Sequence, residues 1–340
     1  MRPVINYEFL LGPVFAPDIE ILERVSELRM LKEHVENLSE PPILEENTLE
    51  YMVEKNLFPS ENIYKERFAR IVDFPFDARD VVRMVRYMLE HAPSTSEIVE
   101  DREVEWAEKE FSPASLEGVE ANRANQLYAL FEKLSLASGL DKTQYSVLHY
   151  SDRSLPDNIL LDGSISYTYP ELGGEFPIIF SEKLSLFPMH QRHVCACDPQ
   201  IILNGAITDA DFKYALYVGA RGLHDKVGAG CKIDWDDFSL GERFVASLRE
   251  NECMPGSRYC GAAFEAIIQV LMQHPNCNIN VFTKSDKDPA PRVFGDYTAY
   301  RVHVTKGGRA LRLMFWKDDD GKIVLANIGN KGELHIENPE

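Results

Sequence analysis

Residues 291–336 read PRVFGDYTAYRVHVTKGGRALRLMFWKDDDGKIVLANIGNKGELHI. Glycine accepts positive φ without steric cost, so Lys306-Gly307-Gly308 and Asp320-Gly321 mark hairpin turns. The β-branched, aromatic and aliphatic runs around them predict strands over 297–305, 310–316 and 323–328, with a short one at 334–336. A further run lies upstream at 279–283. Before it, Ser239 followed by Glu242 has the form of a capping box, and Leu240, Phe244, Val245 and Leu248 fall on one helical stripe. Gly256 breaks this helix; Ala262, Ala263, Ile267, Val270 and Leu271 mark a second, which Pro275 ends. Two helices followed by an antiparallel meander are expected over residues 236–340.

Charge sets this region apart. Between residues 292 and 317 the basic residues are Arg292, Arg301, Lys306, Arg309, Arg312 and Lys317, against one acid, Asp296, in a chain of net charge −19. Strand residues two apart share a face, so Arg301 and His303 point the same way, while Leu311 and Leu313 oppose Arg312. One face on helices and the other bearing Arg, His and Lys suits a polyanion. Arg292, Lys306, Arg309 and Lys317 are candidate RNA-binding residues on this basis. The same pattern also describes ordinary solvated residues on the outside of a sheet.

These residues carry a resemblance to the RelE/ParE toxin superfamily. Its members show a basic residue in a yR-x-r strand, a following yRl-x-y strand, an acidic-Gly hairpin and a strand ending near IGHR-x-e-x-Y. Here the corresponding segments are Tyr300-Arg301-Val302-His303, Leu311-Arg312-Leu313-Met314-Phe315, Asp319-Asp320-Gly321-Lys322 and Ile328-Gly329-Asn330-Lys331, then Glu333-Leu334-His335. Asn330-Lys331 stands where the family has His-Arg, and His335 at the final aromatic position.

The resemblance implies two helices packed on an antiparallel sheet. The RNA-cleaving branch acts on mRNA without metal or other cofactor, often within the ribosome, so RNA or the ribosome is the implied partner, with a neutralising protein as a second. Such chemistry needs a base on the 2′-hydroxyl, cations for the phosphorane charge and an acid for the 5′-oxygen. Position by position, Arg301 and Arg312 would clamp the phosphate and Lys331 would stabilise the transition state. From residue chemistry alone, His303 and His335 are acid/base candidates, since imidazole titrates near ~6.5. The gyrase-directed branch lacks nuclease action, so a non-catalytic RNA- or protein-binding role is the alternative.

The 340 residues suffice for two or three domains at ~100–200 residues each, and 44% hydrophobic content supports real cores. A net charge of −19 excludes nucleic-acid binding over the whole surface and confines it to the basic region. No run approaches the ~18 apolar residues of a membrane helix, and residues 1–16 hold Glu8 and no secretory pattern. With six cysteines, reduced thiols and a cytoplasmic location are expected.

Residues 1–140 are expected to form a helical domain. Ile21, Val25, Leu28 and Val35 make one stripe; shorter helices fit 48–55 and 61–72; Asp77 caps a helix carrying Val81, Val82, Val85, Met88 and Leu89. A last one carries Ala124, Leu127, Tyr128, Phe131 and Leu134. Residues 94–112, with seven Asp/Glu from Glu97 to Glu110, predict a solvated connection or exposed helix, which could also shield the basic region. Residues 141–235 are expected as a mixed α+β middle domain, with strands over 145–150, 158–161, 164–169 and 176–180 and a helix from Thr208 to His224 capped by Thr208 and Asp211. The fold class expected is α+β in three parts.

The middle region holds one chemical cluster, His190, His193, Cys195 and Cys197, all zinc-ligand types. On a strand Cys-x-Cys would point both sulfurs to one face, leaving a site for Cys231 or His224 to complete; buried thiols beside surface histidines is the plainer expectation. No G-x-x-x-x-G-K-[ST] or G-x-S-x-G motif occurs. Asp234, Asp236 and Asp237 lack the Glu-x-Lys strand of restriction-type nucleases.

Overall fold

Four apolar residue pairs decide the N-terminal half: Val4-Ile5, Ile43-Leu44, Val147-Leu148 and Leu186-Phe187 stand in register across one sheet. Strands buried on both faces read as continuous apolar pairs, with no polar alternation. They belong to the computed structural model of the chain, which describes residues 1–151, 155–170, 175–228, 230, 232–274, 278–285, 288–305 and 309–339. The fold is mixed α+β, in two units, Met1–His193 and Val194–Glu340.

In the first unit, β1 (Arg2–Ile5), β2 (Ile43–Leu44), β3 (Glu103–Ser112), β4 (Tyr145–Leu148), β5 (Asn158–Tyr169) and β6 (Ile178–Phe187) form a sheet of order β2-β1-β4-β6-β5-β3. β1 runs parallel to β2 and β4, and β4 parallel to β6; β5 and β3 are antiparallel additions. The helices are α1 (Tyr7–Leu10), α2 (Gly12–Phe15), α3 (Ile21–Asn37), α4 (Thr48–Glu54), α5 (Glu61–Phe68), α6 (Ala78–His91), α7 (Thr95–Ile98) and α8 (Ala121–Asp141). Asp77 caps α6 as expected, accepting from the N–H of Arg79 at 2.7 Å.

Both sheet faces are buried. Ile5, Leu44 and Leu148 pack with Val25, Leu28 and Leu31 of α3 and Val81 and Val85 of α6. Val4, Ile43, Val147 and Leu186 pack on the other side with Leu127, Phe131 and Leu134 of α8. Each such side chain contributes about 1.5–3 kcal/mol. Residues 1–140 therefore supply three strands as well as helices. The acidic stretch 94–112 is not a connection but α7 and the edge strand β3, which Trp106 ties to α8 through Nε1–H to Glu132 at 2.7 Å. Its charges suit an edge, where like-charged side chains oppose pairing with another chain.

α9 (His190–Ala196) follows, and the second unit continues with α10 (Pro199–Gly205) and α11 (Asp209–Val227). The expected cap of α11 is present: Asp211 N–H donates to Thr208 Oγ1 at 3.2 Å, and Thr208 N–H to Asp211 Oδ2 at 2.8 Å. Next come β7 (Phe238–Leu240), α12 (Phe244–Glu250), α13 (Cys260–Leu271), β8 (Asn280–Val281), β9 (Thr283–Ser285), β10 (Asp288–Pro291), β11 (Val293–Phe294), β12 (Tyr297–His303), β13 (Leu311–Lys317) and β14 (Ile323–Asn330). Ser239 lies in β7, so the expected capping box does not form; α12 begins at Phe244 behind Arg243. A Cβ on Gly219 would meet Ile268 Cδ1 at 2.5 Å, which is why α11 can lie so close to α13.

β11 to β14 form the expected meander, with β8 beside β12. The sheet is mixed rather than purely antiparallel, because β7 joins its far edge parallel to β14. The 320–321 turn is a hairpin, with Gly321 at φ +94 and Lys322 N–H donating to Asp318 Oδ1 at 2.7 Å. Residues 334–336 form no strand. Among the described residues no helix is long and apolar enough to cross a membrane.

Candidate functional site

Register places Arg301 opposite Met314 and His303 opposite Arg312 on the β12–β13 ladder. Alternation puts all of them on one face, together with Ala299 and Trp316. The opposite face buries Val302, Leu311, Leu313 and Phe315, and α13 lies against both strands. The basic face is not open along its length. Phe282 and Ile336 pack on Ala299, Met314 and Trp316, with Phe294 and Tyr297 against them, as a second small core. What stays accessible is the end of the ladder around His303 and Arg312.

Arg301 and Arg312 meet there. The Arg301 guanidinium lies 5.3 Å from the centre of the Phe282 ring. Arg312 Nε is buried and has no hydrogen-bond partner among the described residues. Burial, and then the charge of Arg301, pull the Arg312 guanidinium below its ordinary range. Neither arginine pairs with a carboxylate among the described residues. His303 is exposed beside them.

The other sequence candidates disperse. Lys331 is exposed in the turn after β14. His335 pairs with Glu337 at 3.2 Å, on a tail held across the sheet by Trp316 Nε1–H to Glu337 O at 2.6 Å and by Asn327. Arg309 donates to Asn330 Oδ1 at 2.7 Å and Asn251 Oδ1 at 2.8 Å. His335 and Arg309 both line a polar cavity of about 280 Å³ with Arg243, Asn251, Asn327 and Glu250. Arg292 turns to Thr283 O at 3.2 Å and to the Phe282 ring, and Lys317 to Gln273 at 2.9 Å. Those contacts engage both cations within the fold. Lys306 lies outside the described residues.

The His/Cys cluster is helical. Cys195 ends up on α9 and Cys197 one residue past it, and positions two apart on a helix do not face each other. Burial pushes both thiols up to about 11. His190 and His193 are fully buried, not surface residues, and His193 Nδ1 lies 3.0 Å from Ser146 Oγ. Among the described residues no three His, Cys, Asp or Glu side chains gather as metal ligands; Cys231 lies outside them.

A polar group that the sequence reading passed over sits in the first unit. Arg123 at the start of α8 holds Glu8 through Nε and Nη2 at 2.6 and 2.8 Å, and Glu45 through Nη1 and Nη2 at 2.6 and 2.7 Å. The rings of Tyr7 and Tyr51 lie 4.9 and 5.1 Å from its guanidinium. Burial works against this cation, but the two carboxylates outweigh it and hold it protonated. Asn6 and His149 complete the group. The available signal was local: Val-Ile-Asn-Tyr-Glu, Ile-Leu-Glu-Glu and Val-Leu-His each put polar residues directly after a short apolar pair.

No family model, curated protein or solved structure matches this chain.

Proposed function

We propose that the C-terminal unit is a RelE/ParE-like module that binds RNA through Arg301 and Arg312 and cleaves it without metal. The observation that carries this is the arginine pair itself. Two cations side by side, one partly desolvated and neither matched by a carboxylate among the described residues, are arranged for a shared anion. A phosphate between them would relieve their repulsion and supply the acceptor that Arg312 Nε lacks. His303 lies across the ladder from Arg312 and would take the 2′-hydroxyl proton. Two helices against a meander agree with the resemblance, while the parallel edge β7 is an addition to it.

A second reading, binding without cleavage, is favoured by one observation: His335 is held against Glu337 on the tail, which leaves His303 as the single imidazole beside the arginines among the described residues. Incubating purified protein with RNA in EDTA, with and without ribosomes, separates the two. Chelation-resistant cleavage that His303→Ala abolishes supports the nuclease. Retained RNA binding with no cleavage supports the binding module.

A further inference from the structure

In the first sheet the chain leaves β1 for β2 on one side and later returns to β4 on the other. Strand order reverses between β1 and β4, and in open α/β sheets the crevice beyond the carboxyl ends at such a reversal is where ligands bind. Asn6 follows β1 and His149 follows β4, and their side chains hydrogen-bond across this point.

That contact fixes the imidazole. Asn6 Oδ1 accepts from the N–H of Phe9 at 3.0 Å, so Asn6 Nδ2 is the donor to His149 Nδ1. The ring proton then sits on Nε2. Glu8 Oε2 lies 3.8 Å from Nδ1, and the Glu8–Arg123–Glu45 bonds hold that side of the ring rigid. Burial first, with Arg123 adding to it and Glu8 opposing, lowers the His149 pKa to about 4, so the ring is neutral at pH 7. His149 is 5% exposed, and its Nε2–H has no partner among the described residues.

On the β4–β6 side of this point, His149 lines a cavity of about 130 Å³ with Leu155, Asp157, Leu186, Pro188 and Arg192. Arg192 and Asp157 are exposed and opposite in charge, and the other three give an apolar wall. A bare anion would meet Asp157 as well as Arg192. A purely apolar ligand would bury the Nε2–H with no acceptor, at a desolvation cost. The lining asks for an anionic group and hydroxyls on one small carbon skeleton.

We propose that the first unit binds a phosphate monoester of a polyhydroxylated compound at this crevice. Phosphate oxygens accept from His149 Nε2–H and from Arg192, Asp157 accepts from a hydroxyl, and the skeleton rests on Leu155, Leu186 and Pro188. Sugar phosphates and nucleotides share this chemistry.

Titration calorimetry of the full chain with inorganic phosphate, ribose 5-phosphate and adenosine 5′-monophosphate tests it, read alongside the imidazole ¹⁵N signals by NMR. Expected is binding of at least one phosphorylated ribose, with a shift at His149 Nε2. Inorganic phosphate should bind at least about tenfold more weakly, and Arg192→Ala and Asp157→Ala should each weaken binding by about tenfold. Both positions are exposed, so both variants keep the fold. Binding of both ribose compounds assigns the sugar phosphate; binding of the nucleotide alone assigns a nucleotide. No binding of either, equal affinity for inorganic phosphate, or variants that bind like the parent would overturn the proposal. The outcome is independent of RNA cleavage, which belongs to the other unit.

Discussion

Arg312 shares a sheet face with Arg301 and lies two residues along β13 from Met314, the residue paired with Arg301. Their mutual repulsion is unfavourable in the free protein and turns favourable once an anion lies between them.

That relationship separates binding from stability. Arg301→Ala should change unfolding free energy by less than ~1 kcal/mol, since it removes a like-charge neighbour along with the contact to the Phe282 ring. RNA affinity should fall for all sequences alike, and the slope of log K against log salt should shrink by about one. Urea unfolding and binding at several salt concentrations check both. A large loss of stability with unchanged binding would make Arg301 structural.

Arg123 is the reverse case. Arg123→Met leaves Glu8 and Glu45 buried without their cation and should cost roughly 3–5 kcal/mol. Adding Glu45→Gln should recover part of the loss, because one of the stranded charges is then gone. Equilibrium denaturation of the single and double variants measures the coupling. Additive losses would mean the residues do not act together.

Buried histidines make the first unit acid-sensitive. Neither His190 nitrogen has a hydrogen-bond partner among the described residues, and burial lowers its pKa to about 3. The unfolded chain, titrating near ~6.5, takes up the proton first, so the associated stability is present above ~6.5 and drains as pH falls toward 3. His190→Phe should be neutral or stabilising at pH 7.5 and ahead by ~2 kcal/mol at pH 5. Unfolding curves at the two pH values decide it; parallel losses in both proteins would place the acid sensitivity elsewhere.

Glu27 acts in the opposite direction. Burial outweighs Arg24 and raises its carboxyl to about 7, so its contribution is present below ~4.5 and lost as pH rises through 7. Glu27→Gln should stabilise the protein at pH 8 by up to roughly 3 kcal/mol and leave it unchanged at pH 4. A destabilised variant at pH 8 would show that the charged form is the one the fold needs.

The meander was legible because its strands carry apolar residues over seven or eight positions and its 320–321 turn carries glycine; the expected turn at 306–308 lies outside the described residues. The cap at Thr208 was legible for the same reason: its signal is local. β1 and β2 were not, since strands of four and two residues between helices give no measurable period. Ser239 and Glu242 show the converse: a local capping pattern lost to strand pairing with β14. Alternation correctly put Arg301 with His303, and Arg312 opposite Leu311 and Leu313; register joins the two sets on one face, and alternation carries no information about Phe282 and Ile336 covering part of it. Asn6 and His149 lie 143 residues apart, and only the parallel pairing of β1 with β4 brings them together.

RNA cleavage in EDTA by the parent chain and by the Arg301→Ala/Arg312→Ala double variant decides whether the arginine pair supports metal-free cleavage. Cleavage that survives chelation in the parent and disappears in the double variant is the predicted result. Cleavage that requires added metal, or that persists in the double variant, would contradict it.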